Sequence, residues 1–240
     1  MREKKEAPRR RRKIIAWAIA ALGVAVLAVG GIFYCTFFPN PFAKSVPASS
    51  ISAGTTSVTG ESDILIAYFS LTNNREYPSG EMDAVSSASL KIWEGTGYGH
   101  AELLALAARE VTGGDIFPIK TSELYPETYN GAFNRHHEEM GATVRPELTE
   151  HLDNIAGYNT VIVIYPNWLS SLPQPVLTFL EEYDFAGKNI VPIATSQALG
   201  LGSGPEQIKS VCPDAVVAEG LSARSEEGVK DFLTEMELQK

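Results

Sequence analysis

Cysteine is nearly absent from the 240 residues: only Cys35 and Cys212 occur, so neither a disulfide framework nor a cysteine metal site can be built. Cys212 reads as a small buried residue. Basic residues are also scarce once the first 13 positions are set aside. Those 13 hold eight Lys and Arg against two Glu, which leaves 12 basic and 27 acidic residues, net −15, for the rest. A chain of that sign excludes nucleic acid as a partner and suits a basic protein partner or plain solubility. No internal repeat is present. No Gly-x-Ser-x-Gly elbow accompanies Ser170 and its distant histidines His100 and His151, so a hydrolase dyad is not supported.

Charge is missing altogether from residues 14–38. At about 1.5 Å per residue this run is long enough to span a hydrocarbon core of roughly 30 Å. The usual apolar region of a cleaved signal is only about 7 to 15 residues, which favours an uncleaved anchor. Eight positive charges before it orient the N-terminus to the cytoplasm and the remainder outside, as a single-pass protein of the cell membrane. Arg11-Arg12-Lys13-Ile14-Ile15 also resembles a twin-arginine export signal, which would allow export of a folded, cofactor-loaded chain. The organisation expected is a basic cytoplasmic flank over 1–13, a transmembrane anchor or signal over 14–38, a flexible linker over 39–60 and one folded domain over 61–240. The linker is assigned on its Pro, Ser, Thr, Ala and Gly content without apolar period.

Within the domain, short apolar runs alternate with helical patterns. Strands are expected over 63–69, 116–119, 160–165, 189–194 and 215–219, because buried parallel strands read as continuous apolar runs. Helices are expected over 101–111, stopped by Gly113-Gly114, around 133–140, and over 176–182, 205–211 and 226–237. Alternation of this kind gives an α/β fold, a doubly wound five-stranded parallel sheet. Two long segments, 71–98 and 126–157, exceed ordinary connections and read as lids or insertions.

Three strand ends carry polar or glycine-rich loops, where such sheets place ligands. The middle one reads Tyr165-Pro166-Asn167-Trp168 and runs on through Pro173-x-Pro175-Val176-x-Thr178-Phe179-Leu180-Glu181-x-Tyr183-Asp184-Phe185-x-Gly187-Lys188. On these residues the chain over 63–224 resembles the flavodoxins, in the branch whose second loop reads Tyr-Pro-Asn-Trp-Trp. The resemblance implies a flavodoxin-like sheet in the order 2-1-3-4-5 and non-covalent FMN at the carboxyl ends of the strands. The first loop, Ser70-Leu71-Thr72-Asn73-Asn74-Arg75, would hold the phosphate through Ser70 and Thr72 together with the backbone of Gly99, His100 and Ala101 at a helix start. His100 stands where relatives have Asn, and Ala101 where they have a hydroxyl. The second loop, with Pro166, Asn167, Trp168, Leu169 and Ser170, would lie beside the flavin ring, Trp168 stacking or shielding it. The third, with Ser196, Gln197, Gly200 and Gly202, corresponds to the family's glycine-rich run. Tyr129, in a Tyr-Pro-x-x-Tyr stretch, would border the ring.

Two other patterns are set aside. His136-His137-Glu138-Glu139 invites a metal, yet adjacent histidines point about 100° apart on a helix, and the stretch reads as a solvated helix face. Gly200-x-Gly202-x-Gly204 follows a late strand and lacks the acidic partner of a dinucleotide loop. The function implied is an FMN-binding electron carrier with no catalytic side chain, its partner a redox protein or a membrane quinone. An FMN-dependent quinone or nitro-compound reductase and a flavin-free interaction module of the same fold are the alternatives.

Overall fold

The computed structural model describes residues 51–76, 90–93, 96–195 and 199–239. The expected anchor over 14–38 and the basic flank lie outside them, as do Ser196 and Gln197. Among the described residues no helix is long and apolar enough to cross a membrane.

The strands are β1 (Ile64–Tyr68), β2 (Leu90–Trp93), β3 (Thr96–Gly99), β4 (Asp115–Pro118), β5 (Thr160–Pro166), β6 (Asn189–Thr195), β7 (Val216–Val217) and β8 (Leu221–Ala223). The helices are α1 (His100–Thr112), α2 (Tyr129–Ala142), α3 (Gln174–Glu182), α4 (Gly204–Val211) and α5 (Glu226–Glu235). The main sheet is parallel and runs β4-β1-β5-β6-β7, with β8 also pairing β6. Counted within that sheet alone, the first five strands stand in the order 2-1-3-4-5. The sheet has six strands rather than the expected five, because the chain bends after Val217 and returns to β6 as β8, whose Leu221 pairs with Ile193. A separate antiparallel hairpin, β2-β3, occupies part of the segment expected to be an irregular insertion.

Successive residues of a strand face opposite sides, and the two cores follow that alternation. Leu65, Ala67, Phe69, Val161, Val163 and Tyr165 pack with Val176, Phe179 and Leu180 of α3, Ile208 of α4 and Ala132 of α2. Ile66, Tyr68, Ile162, Ile164 and Ile193 pack with Ala101, Leu104, Ala105 and Ala108 of α1 and with Val229 and Leu233 of α5. Both faces are covered, which is why β1, β5 and β6 are apolar at nearly every position. Helix α1 ends on Gly113 in the left-handed region (φ 67°), whose N–H returns to the Arg109 carbonyl. Helix α2 starts at Thr128, whose side chain accepts from the Gly131 N–H.

Residues 51–60, expected in the flexible linker, are tied along the domain instead. Ser57 exchanges both backbone hydrogen bonds with Ile116 of β4, at 2.9 and 3.0 Å. Thr59 and Gly60 donate three hydrogen bonds to the buried Asp115 carboxylate, which Tyr158 Oη also reaches at 2.9 Å. Burial by itself would push Asp115 up, but these donors outweigh it and hold its carboxyl below the ordinary value.

Candidate functional site

Strand β1 has β4 on one side and β5 on the other, so the connections leaving β1 and β4 diverge across the sheet. The switch point of the topology therefore lies at the carboxyl ends of β1 and β5, where sheets of this kind take ligands. The first loop leaves β1 there. Ser70 and Thr72 are buried and their hydroxyls lie 2.6 Å apart. Both face Gly99, the residue before α1, where an added Cβ would collide with Ser70 Oγ and Thr72 Oγ1. Gly99 has no side chain to cap α1, and the backbone N–H groups of His100 and Ala101 at this helix N-terminus stand near two hydroxyls, the kinds of donor an anionic phosphate needs. Ala101 contributes its backbone alone, because its methyl is part of the core. The loop is pinned from beneath by Asn74, whose Nδ2 donates to the Ser70 and Ile119 carbonyls and whose Oδ1 accepts from the Thr121 N–H.

The second and third loops are brought together at the ends of β5 and β6. Pro166 pairs with Thr195 in register, and Asn167 Nδ2 donates to the Gly200 carbonyl at 2.8 Å. Ser203 donates through both its N–H and its Oγ to the Ser170 carbonyl, each at 2.7 Å. Gly202 (φ 58°) is needed at this closure, since a Cβ there would lie 2.6 Å from the Ser170 carbonyl oxygen. Leu169 (φ 51°) and Ser170 (φ 66°) form the exposed tip of a tight turn closed by reciprocal Trp168 and Ser171 backbone bonds. Both are left-handed without being glycine, which costs about 1–2 kcal/mol each.

Trp168 is half-buried and turned into the protein. Its ring meets Phe69 and Tyr125 edge-on at 5.5 Å each and His136 at 4.9 Å. Phe69 immediately precedes Ser70, so this contact connects the first loop to the second. Of the stretch His136 to Glu139, His137 and Glu138 are exposed as expected, whereas His136 and Glu139 turn inward. His136 is 2 % exposed and Glu139 6 %, and Glu139 accepts from Tyr125 Oη and pairs with Arg135. Burial lowers His136 from 6.5 to about 4, the Trp168 backbone opposing and His137 adding slightly. Tyr129, at the start of α2, stacks on Phe133.

The sequence assigns no role to Glu102, Asn73 or Phe69, and its pattern puts His136 on a solvated helix face. Glu102 carried a signal, an acid in the first turn of a helix after glycine, but nothing in its neighbourhood named its partners. Tyr165 Oη is buried with no hydrogen-bond partner and held up by burial and by Glu206. It rests against Gly204 at the start of α4, a position that admits no Cβ.

The family described as Flavodoxin matches residues 93–236 of this chain. The chain belongs to the flavodoxin family. That match takes in the second and third loops and the start of α1, and leaves out β1 and the first loop. Among solved structures, this flavodoxin-family chain is similar to a protein of Bacteroides eggerthii provisionally classed as a flavoprotein, 26% identical, with a TM-score of 0.55 over 72% of this chain and 97% of that one. A second, of Bacteroides uniformis and similarly classed, is 25% identical, with a TM-score of 0.56 over 71% and 97%. A flavoprotein of Lactobacillus acidophilus in complex with FMN shares the fold at 14% identity, with a TM-score of 0.50 over 72% and 96%. No curated protein matches the chain significantly.

Proposed function

We propose that the chain is an FMN-binding electron-transfer protein, tethered to the membrane through residues 14–38 with its domain outside the cytoplasm. The observation that carries the reading is the cradle at Gly99, where two buried hydroxyls meet the N-terminus of α1 beside the carboxyl end of β1. A methyl would fill that cradle. Ser70 and Thr72 and the N–H groups of Gly99, His100 and Ala101 would hold the phosphate. Asn167, by fixing Gly200, and Ser170, by fixing Ser203, would keep the ring-side loops closed. Trp168, backed by Phe69, Tyr125 and His136, would wall the ring side against water.

Bound FMN supplies reversible electron uptake through its ring. The chain's own side chains bind, orient and shield, and none is needed as an acid or base. The uncharged run and its eight preceding positive charges support the tether and its orientation. A redox protein or a membrane quinone is the partner class that such a carrier would serve. Titration of FMN into the full chain in mild detergent tests the reading: one-to-one quenching of flavin fluorescence is expected, and no quenching at high micromolar FMN would overturn it.

A further inference from the structure

We infer that residues 51–57 form a strap that sets the conformation of the first loop, and with it the affinity of the cradle for a flavin phosphate, Glu102 acting as the positioning residue between them. The inference rests on the flavin reading above. Glu102 is fully buried in the first turn of α1. Its Oε1 accepts from Ser52 Oγ at 2.7 Å and from the Thr55 N–H and Oγ1 at 2.9 Å each. Its Oε2 accepts from Asn73 Nδ2 at 3.2 Å, which also donates to the Ser52 carbonyl at 3.0 Å. One carboxylate therefore joins the strap to the residue that follows Thr72.

The strap is anchored on two further sides. Ser52 N–H donates to the Gly97 carbonyl, two residues before the cradle glycine, at 2.8 Å. Tyr68 Oη, at the end of β1, accepts from the Thr55 N–H and donates to the Thr55 carbonyl. A buried carboxylate is tolerated only while donors surround it, and here three of the four come from the strap. Loss of the strap would leave Glu102 underserved and deprive Asn73 of its Ser52 acceptor. Asn74 would then hold the loop from beneath, with Asn73 secured above only by its 3.2 Å bond to Glu102. Coupling between two sites is reciprocal, so a phosphate seated at Ser70 and Thr72 should in turn hold the strap down. Riboflavin, which has the ring without the phosphate, should leave the strap unaffected.

The test compares the full chain in mild detergent with Ser52→Ala/Thr55→Val, which substitutes no loop residue, and with Glu102→Gln, which keeps the shape and weakens the acceptor. FMN and riboflavin are titrated into each, and amide exchange is followed over 51–57 and 70–76 without flavin. Both variants should bind FMN about tenfold more weakly, keep riboflavin affinity within about twofold, and exchange faster over 70–76. Unchanged FMN affinity in both variants, or equal loss of FMN and riboflavin, would overturn the inference. If the unmodified chain binds neither flavin, the flavin reading falls by itself. Exchange then decides the strap: faster exchange over 70–76 in the variants sustains its hold on the loop, and unchanged exchange removes it.

Discussion

His136 offers a direct measure of how firmly the wall behind the second loop is closed. The residue is 2 % exposed, its two nitrogens make no hydrogen bond of ordinary geometry, and its ring lies edge-on to Trp168. Burial lowers its pKa to about 4 from 6.5. Between those values the unfolded chain binds a proton that the folded chain refuses, so the contribution to stability is complete above pH 6.5 and is lost as the pH falls toward 4. From pH 7.5 to 4.5 the loss from this one group comes to about 2.5 kcal/mol. For a domain of this size that is a fall in Tm of about 5–10 °C. His136→Leu, similar in bulk and without nitrogens, should remove that part of the pH dependence. At pH 7.5 the variant should be no less stable than the parent, because no unpartnered polar atom is left buried. Thermal unfolding followed by circular dichroism across this range is the assay, and subtracting the two curves cancels the carboxylates and the other histidines. Parallel decline of parent and variant would refute the reasoning.

Three further outcomes can be checked. Gly99→Ala should weaken FMN at least about tenfold and lower Tm by roughly 2–10 °C, since the extended backbone (φ −69°, ψ 147°) suits alanine but its methyl must displace the two buried hydroxyls; a normal FMN titration would contradict the cradle. Leu169→Gly and Ser170→Gly should each raise stability to urea, by about 1 kcal/mol, through relief of the left-handed conformation; a fall in stability for both would show that the turn is not strained. Asp115→Asn should lower stability at pH 7 by about 1–3 kcal/mol, and the gap should narrow as the pH falls below about 4, the ordinary carboxyl range, because the lowered pKa of Asp115 confines its contribution to higher pH. Denaturant curves at pH 7 and pH 3.5 would check it.

The central strands were legible because burial on both faces leaves an apolar run, as in Val161 to Ile164, and the helices because Leu104 and Ala108, or Val229 and Leu233, repeat at helical spacing. Gly113 and Pro175 marked helix ends for backbone reasons that operate locally. The loops at the ends of β1, β5 and β6 could be placed from the strands preceding them, and the structure brings the first loop to α1 and the second to the third. What stayed hidden depends on partners distant in sequence. Strand β8 is three residues long and has no pattern of its own, being defined by β6. His136 follows the polar Asn134 and Arg135 and precedes His137, so its burial is visible only once Trp168 is folded over it. Residues 51–60 have the composition of a linker; their order comes from Glu102 and Asp115, about 50 positions away.

Ser57 takes both backbone bonds that Ile116 offers on the outer side of β4, and β4 is the margin of the sheet. A bare margin of that kind is a template on which a second chain can add a strand. The molecule closes its own template with the segment just ahead of β1. A fragment beginning at residue 61 would keep every helix and strand described above and yet present β4 uncovered. Self-association is the expected failure of such a fragment, added to the stability lost when Glu102 and Asp115 are each deprived of three donors. The working boundary of the domain is thus set by what shields the sheet and lies at or before Ile51, ten residues earlier than its first apolar strand would suggest.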